Sequence, residues 1–175
     1  MNYIIESTPK TVNIDPQIIE ILEQKTLLKE PLTEEEINMF LDYICYETRC
    51  KFTSNINNFS FQFKCDKAQA IITHYLNSLE VEVHPCMTQN VITEDIEGHS
   101  FLIAIFNVNG INVPYLIDPT YRQFFIDDKK GYILYNSKIL RTPSPGYFIN
   151  EEDKTEIQKL LINGYHILDE NIARI

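Results

Sequence analysis

The sequence predicts an α+β domain, helices first and an antiparallel sheet after them, on the strength of three observations. Apolar residues recur at steps of three and four through the early segments, which is the helical period. Two apolar runs then flank an Asn109-Gly110 dipeptide, a strong two-residue hairpin signal. The chain has 175 residues, a length that suits one hydrophobic core. One domain is therefore expected over 1–175: a helical N-terminal part (1–48), a helix-and-sheet part (65–148), and a C-terminal helix and tail (150–175).

The elements follow in order. "DPQIIEILEQKTLL" predicts a first helix, with Asp15 as N-cap and Pro16 at the first helical position. "TEEEINMFLDYICYET", from Thr33, predicts a second. Thr33 and Glu36 have capping-box spacing, and Ile37, Phe40, Leu41 and Ile44 repeat at helical intervals. "RCKFTSNINNFSFQFK", from Arg49 to Lys64, is polar with interleaved Phe and reads as an ordered loop leading inward. "CDKAQAIITHYLNSL" is the clearest helix, because Ala68, Ile71, Ile72, Tyr75, Leu76 and Leu79 make one continuous stripe. "EVEVHPCM" alternates as a short strand, the hairpin spans 99–118, and "GYILYNSKIL" from Gly131 suggests a further strand. "NEEDKTEIQKLLINGYHIL" predicts a last helix, capped by Asn150 and stopped at Gly164.

Composition narrows the function classes. With 44% hydrophobic residues and ten each of Tyr and Phe, the chain reads as globular. A net charge of −10 argues against binding a nucleic-acid backbone and against anionic membrane surfaces, and no run approaches transmembrane length. "MNYIIESTPKTVNID" lacks a charged segment followed by a long apolar run, so no secretory signal is read. The expectation is a cytoplasmic protein in the producing cell, with delivery into a host or target cell by a route that reads another signal. Cys45, Cys50, Cys65 and Cys86 fit neither a disulfide framework nor a paired-CxxC zinc pattern. Cys86 with His84 supplies too few ligands at zinc spacing, so neither metal nor cofactor is expected.

The stretch "EGHSFLIAIFNVNGINVPYLIDPTYRQF" sets two ionisable groups at one end of an apolar hairpin. With Asn109-Gly110 as the turn, paired residue numbers sum to 219, so Asp118 faces Phe101. His99 lies two residues from Phe101 and is then a diagonal cross-strand neighbour of Asp118. Both faces of the hairpin are apolar, so these groups need partners, and the simplest arrangement has them satisfy each other. Cys65 opens the clearest helix, where unpaired backbone N–H groups and the dipole stabilise a thiolate. Cys65, His99 and Asp118 thus have the residue types and order of a triad for covalent acyl chemistry. The plain alternative makes Cys65 a small buried hydrophobe, which is how Cys45 and Cys50 are read. His74 reads as surface, His84 as unremarkable, and His166 as part of a C-terminal loop.

"KCDKAQAII", "GHSFLIAI" and "LIDPTYRQF" together resemble the papain/transglutaminase-like superfamily of cysteine enzymes, and most of all its bacterial toxin and effector domains that deamidate glutamine. The resemblance runs from Cys65 to Phe124 and is carried chiefly by "DPTYRQF". The chain departs from the papain proteases in lacking a "CGSCW"-like signature and any tryptophan, and from bacteriocin leader peptidases in lacking a glycine after the cysteine.

The resemblance implies a papain-like fold and a protein or peptide substrate, such as a host protein. Cys65 would be the nucleophile, His99 the base and Asp118 its orienting acid. The Cys65 N–H would hold the oxyanion together with a side-chain amide, for which Gln62 and Asn58 are candidates. Gln123 is a further support candidate, or else satisfies backbone in the turn after Pro119. Water as acceptor gives deamidation or proteolysis, and an amine gives transglutamination. The reading from another class is a non-catalytic binding or immunity module on the same fold.

Overall fold

The computed structural model describes residues 12–52, 65–93, 96–120, 147–149, 163–168 and 172–174; for 87–93, 96–99, 147–149 and 172–174 it describes the backbone. Helix α1 (Pro16–Leu27) begins as expected, with the Asp15 carboxylate accepting the Gln17 N–H at 2.9 Å. Helix α2 (Glu34–Cys50) carries the full capping box: Thr33 Oγ1 accepts the Glu36 N–H, and the Glu36 carboxylate accepts the Thr33 N–H. Lys25, in the last turn of α1, grips both Glu36 oxygens at 2.7 and 2.8 Å and joins the two helices. This ammonium, followed by the Thr33 N–H, holds the Glu36 carboxyl below the usual carboxylate range. Helix α3 (Cys65–Ser78) starts at the cysteine. Ala68, Ile72, Leu76 and the following Leu79 are buried on its expected stripe, with Tyr75 half-buried beside them.

Strands β1 (Glu82–Thr93), β2 (Ile96–Val108), β3 (Ile111–Ile117) and β5 (Tyr165–Ile167) form an antiparallel sheet in the order β1-β2-β3-β5. Strands β4 (Tyr147–Ile149) and β6 (Ile172–Arg174) pair separately. The domain is α+β, as the order of helical and strand patterns implied. The hairpin register matches expectation: Leu102 faces Ile117, Val108 faces Ile111, and the ladder runs unbroken past Pro114. Asn109 and Gly110 both take positive φ (51° and 85°), the left-handed turn that suits the twist of a two-residue hairpin.

The sheet is buried on both faces, and its parity decides what meets the helices. Leu102, Ala104 and Phe106, with Tyr115 and Ile117, join Ile37, Phe40, Leu41, Ile72 and Leu76 in one core. Phe40 and Phe106 meet edge to face with centroids 6.5 Å apart. Phe101, Ile103 and Leu116 fill the opposite face and are buried as well. The link between α1 and α2 fastens to the hairpin tip, where the Leu32 N–H donates to Asn107 O at 2.9 Å and the Asn109 N–H to Leu32 O at 2.8 Å.

Several expectations need correction. Arg49 and Cys50 lie in the last turn of α2 rather than in a loop, because the helix continues until Arg49 reaches a buried partner. Cys50 is exposed, on the outward side of that turn. His166 belongs to β5, opposite Leu116, so the expected C-terminal tail supplies a strand. β1 runs on to Thr93 because Thr88, Gln89 and Thr93 pair with His99, Gly98 and Ile96 at the start of β2, with a register shift between Gln89 and Thr93. The strand expected from Gly131 and the body of the helix expected from Asn150 lie outside the described residues.

Gly164 leads into β5 at φ +97°, and a Cβ there would meet Arg49 Nη2 at 2.8 Å, Cys45 Sγ at 3.0 Å and Pro119 Cα at 3.0 Å. Backbone strain and overpacking then act together. Gly164→Ala is expected to destabilise the domain by about 2–4 kcal/mol, measurable as a lower midpoint in urea. A midpoint unchanged from wild type would mean that this corner can open without cost.

Candidate functional site

The proposed nucleophile, histidine and aspartate fall on three parts of the fold: the first residue of α3, the early part of β2, and the residue just after β3. Cys65 is half-buried, with Asp66 beside it in the first turn. His99 pairs with Thr88 across the β1–β2 ladder, and the structure describes its backbone. The next residue, Ser100, is 3% exposed and donates its hydroxyl to Asp66 Oδ1. A residue adjacent to the cysteine therefore bonds a residue adjacent to the histidine. One turn further along α3, the Gln69 amide donates to Cys86 O at 2.7 Å and also to Phe101 O. Cys86 and Phe101 are register partners on β1 and β2, so this single side chain ties α3 to both strands.

Asp118 is 1% exposed. Its N–H donates to Gly164 O at 2.6 Å, so the chain leaving β3 is clamped to the chain entering β5. Its Oδ1 accepts the Thr120 N–H at 3.2 Å and the Thr120 hydroxyl at 3.1 Å, closing a turn around Pro119. Thr120, itself fully buried, is the threonine of the "DPT" motif. Arg49 reaches the same corner from α2 and donates from Nε to Pro119 O at 2.7 Å. Burial pulls the Arg49 guanidinium below its usual range, while the nearby Cys45, Asp118, Asp42 and Cys50 push it back up.

The cysteines separate by environment. Burial pushes the Cys45 thiol up to about 12; the Arg49 charge opposes this, while Asp42 and Asp118 add to it. Cys45 Sγ donates to Gly164 O at 3.4 Å. Burial also pushes Cys86 well above the ordinary thiol range. Among the four, Cys50 is exposed and Cys65 half-buried, so these two are the thiols a solution reagent can reach.

The other histidines divide as well. His74 is exposed on α3, as its position on the polar side implied. His84 is 5% exposed and contacts Glu82 through Nε2 at 2.8 Å, so its environment is more specific than the sequence suggested. Among the described residues no cluster of three or more His, Cys, Asp or Glu side chains could hold a metal ion, and no helix is long and apolar enough to cross a membrane. Gln62, Asn58 and Gln123, the candidate oxyanion or support residues, lie outside the described residues.

Sequence reasoning missed Arg49, Asp66, Gln69, Ser100 and Thr120. A signal existed for one of them: Gln69 is four residues after Cys65 and so shares its helix face. Comparison with known proteins finds no matching family model, no matching curated protein and no matching solved structure.

Proposed function

We propose that this chain is a cysteine-dependent acyl-transfer enzyme of papain/transglutaminase-like fold that deamidates glutamine in a protein substrate. Cys65 attacks the side-chain carboxamide carbon, and His99 takes the thiol proton and passes it to the departing nitrogen, which leaves as ammonia. Water, deprotonated by His99, then cleaves the thioester to give glutamate and restore the thiol. Asp118 orients the imidazole and supports its charged form. The Cys65 N–H and a side-chain amide, Gln62 or Asn58, hold the tetrahedral oxyanion, with Gln123 as a further support. Proteolysis and transglutamination use the same acyl-enzyme and differ in the bond cleaved or the acceptor.

One observation carries this reading. Cys65 opens α3, and the bond between the adjacent Asp66 and Ser100 brings the start of that helix to the backbone at the start of β2, where His99 lies. The hairpin register supports the relation of the aspartate to the histidine strand, since Asp118 directly follows Ile117, the partner of Leu102.

A second reading, a non-catalytic binding or immunity module, draws on two other observations. Asp118 Oδ1 accepts both the N–H and the hydroxyl of Thr120, bonds that shape the turn around Pro119 without an imidazole. It is also Ser100, on the same face as Leu102 and Ala104, that meets α3.

Incubating the protein with a host-cell lysate and measuring substrate masses separates the two. Deamidation adds about 1 Da per site, proteolysis yields fragments and transglutamination yields conjugates, all from one acyl-enzyme. The expected result is the mass gain with wild type and none with Cys65→Ala. Equal spectra for the two proteins would favour the binding module.

A further inference from the structure

We infer that Gln69 is a positioning residue of this site, setting the height of Cys65 along β2 and hence its placement relative to the His99 backbone. The inference rests on the acyl-transfer reading.

An amphipathic helix on a sheet is held chiefly by non-directional apolar contact, which tolerates small slides along its axis. Gln69 removes that freedom. Its amide donates to carbonyls of two different strands, Cys86 O and Phe101 O. Those carbonyls belong to register partners, so they move together when the β1–β2 ladder moves. Gln69 lies one turn from Cys65, and Phe101 lies two residues from His99. The Asp66–Ser100 bond, one residue from each, is a second tie. Two directional bonds at different heights fix both translation and tilt, which apolar packing of Ala68 and Ile72 alone does not. Reactions between positioned groups are sensitive to displacements of this kind, with about 1 Å able to cost on the order of a hundredfold in rate.

The test measures Cys65 alkylation by iodoacetamide as a function of pH, resolved from Cys50 by peptide mass. Wild type, His99→Ala, Gln69→Met and Ile72→Val are compared, each with a thermal midpoint. Gln69→Met keeps the side-chain length and removes the donors. Ile72→Val perturbs the buried side of the same helix and serves as the purely structural control.

The expected result is that Gln69→Met slows Cys65 labelling at pH 6 by about tenfold or more, shifting its pH profile toward that of His99→Ala, while Ile72→Val stays within about twofold of wild type. If Gln69→Met does not fold, Ser100→Ala, which deletes only the second tie, carries the same expected direction. A Gln69→Met or Ser100→Ala protein that folds and keeps the wild-type profile overturns the positioning role and leaves the enzyme reading intact. A wild-type Cys65 that ignores His99→Ala overturns both.

Discussion

His99→Ala is expected to reduce glutamine conversion by at least about 10⁴-fold, to the level left by Cys65→Ala, and the double variant is expected to lose no more than either single one. Under the acyl-transfer proposal, Cys65 as nucleophile and His99 as base act as one unit. Once the imidazole is gone the thiol proton has no acceptor, so removing the thiol as well deletes nothing further. Asp118→Asn should fall less far, because the amide keeps the shape of the turn and the bonds that Oδ1 accepts from Thr120. What it loses is the charge that favours the imidazolium. Initial rates of mass gain on one identified substrate, with thermal midpoints beside them, check the series. Losses that multiply in the double variant would mean that Cys65 and His99 do not act together. An Asp118→Asn protein with full activity but a lowered midpoint would make Asp118 a turn residue and nothing more.

The parts of the fold that sequence foretold are those set by neighbours in the chain. Asp15 caps α1 and Thr33 caps α2 because each acceptor lies within three residues of its donor. The hairpin register follows from Asn109-Gly110, whose turn geometry admits one pairing. Helix α3 follows from an unbroken apolar stripe. What escaped depends on distant partners. Arg49 sits in a polar stretch that reads as loop, and its burial is comprehensible only once Pro119, 70 positions on, is beside it. His166 looked like tail because three residues are too few to show alternation, and β3 supplies the pairing that makes them a strand. Ser100 is one polar residue in an apolar run, and nothing in the sequence announces Asp66 as its acceptor. The candidate site was legible as residue types and order, whereas the bonds that hold its surroundings together were not.

Those surroundings converge on Arg49, and Arg49→Met is expected to destabilise the domain by about 3–5 kcal/mol, the usual cost of removing one member of a buried charged cluster. Methionine keeps much of the apolar bulk and removes every donor. Pro119 O then loses the Nε–H that reaches it at 2.7 Å, in a corner where Arg49 itself is only 2% exposed. An unsatisfied buried carbonyl costs about 1–3 kcal/mol. The remainder comes from the positive charge that offsets Asp118 and Asp42 around it. For a chain of this length the loss corresponds to a fall of roughly 6–20 °C in the thermal midpoint. Arg49→Lys should fall between the two, since it keeps the charge but has no donor at the Nε position.

A cycle with Asp118→Asn tests the electrostatic share. If Arg49 offsets the Asp118 carboxylate, neutralising both must cost less than the sum of the single changes, by more than about 0.5 kcal/mol. Additive losses would make Arg49 a hydrogen-bond strut for the Pro119 turn alone. Either outcome bears on the site, because the strand end that carries Asp118 is held by the Gly164 carbonyl on one side and by Arg49 through Pro119 on the other. Under the acyl-transfer proposal Asp118 orients an imidazole and so needs a backbone that does not drift, and the buried Arg49 guanidinium of α2 holds that backbone through Pro119 from outside the sheet.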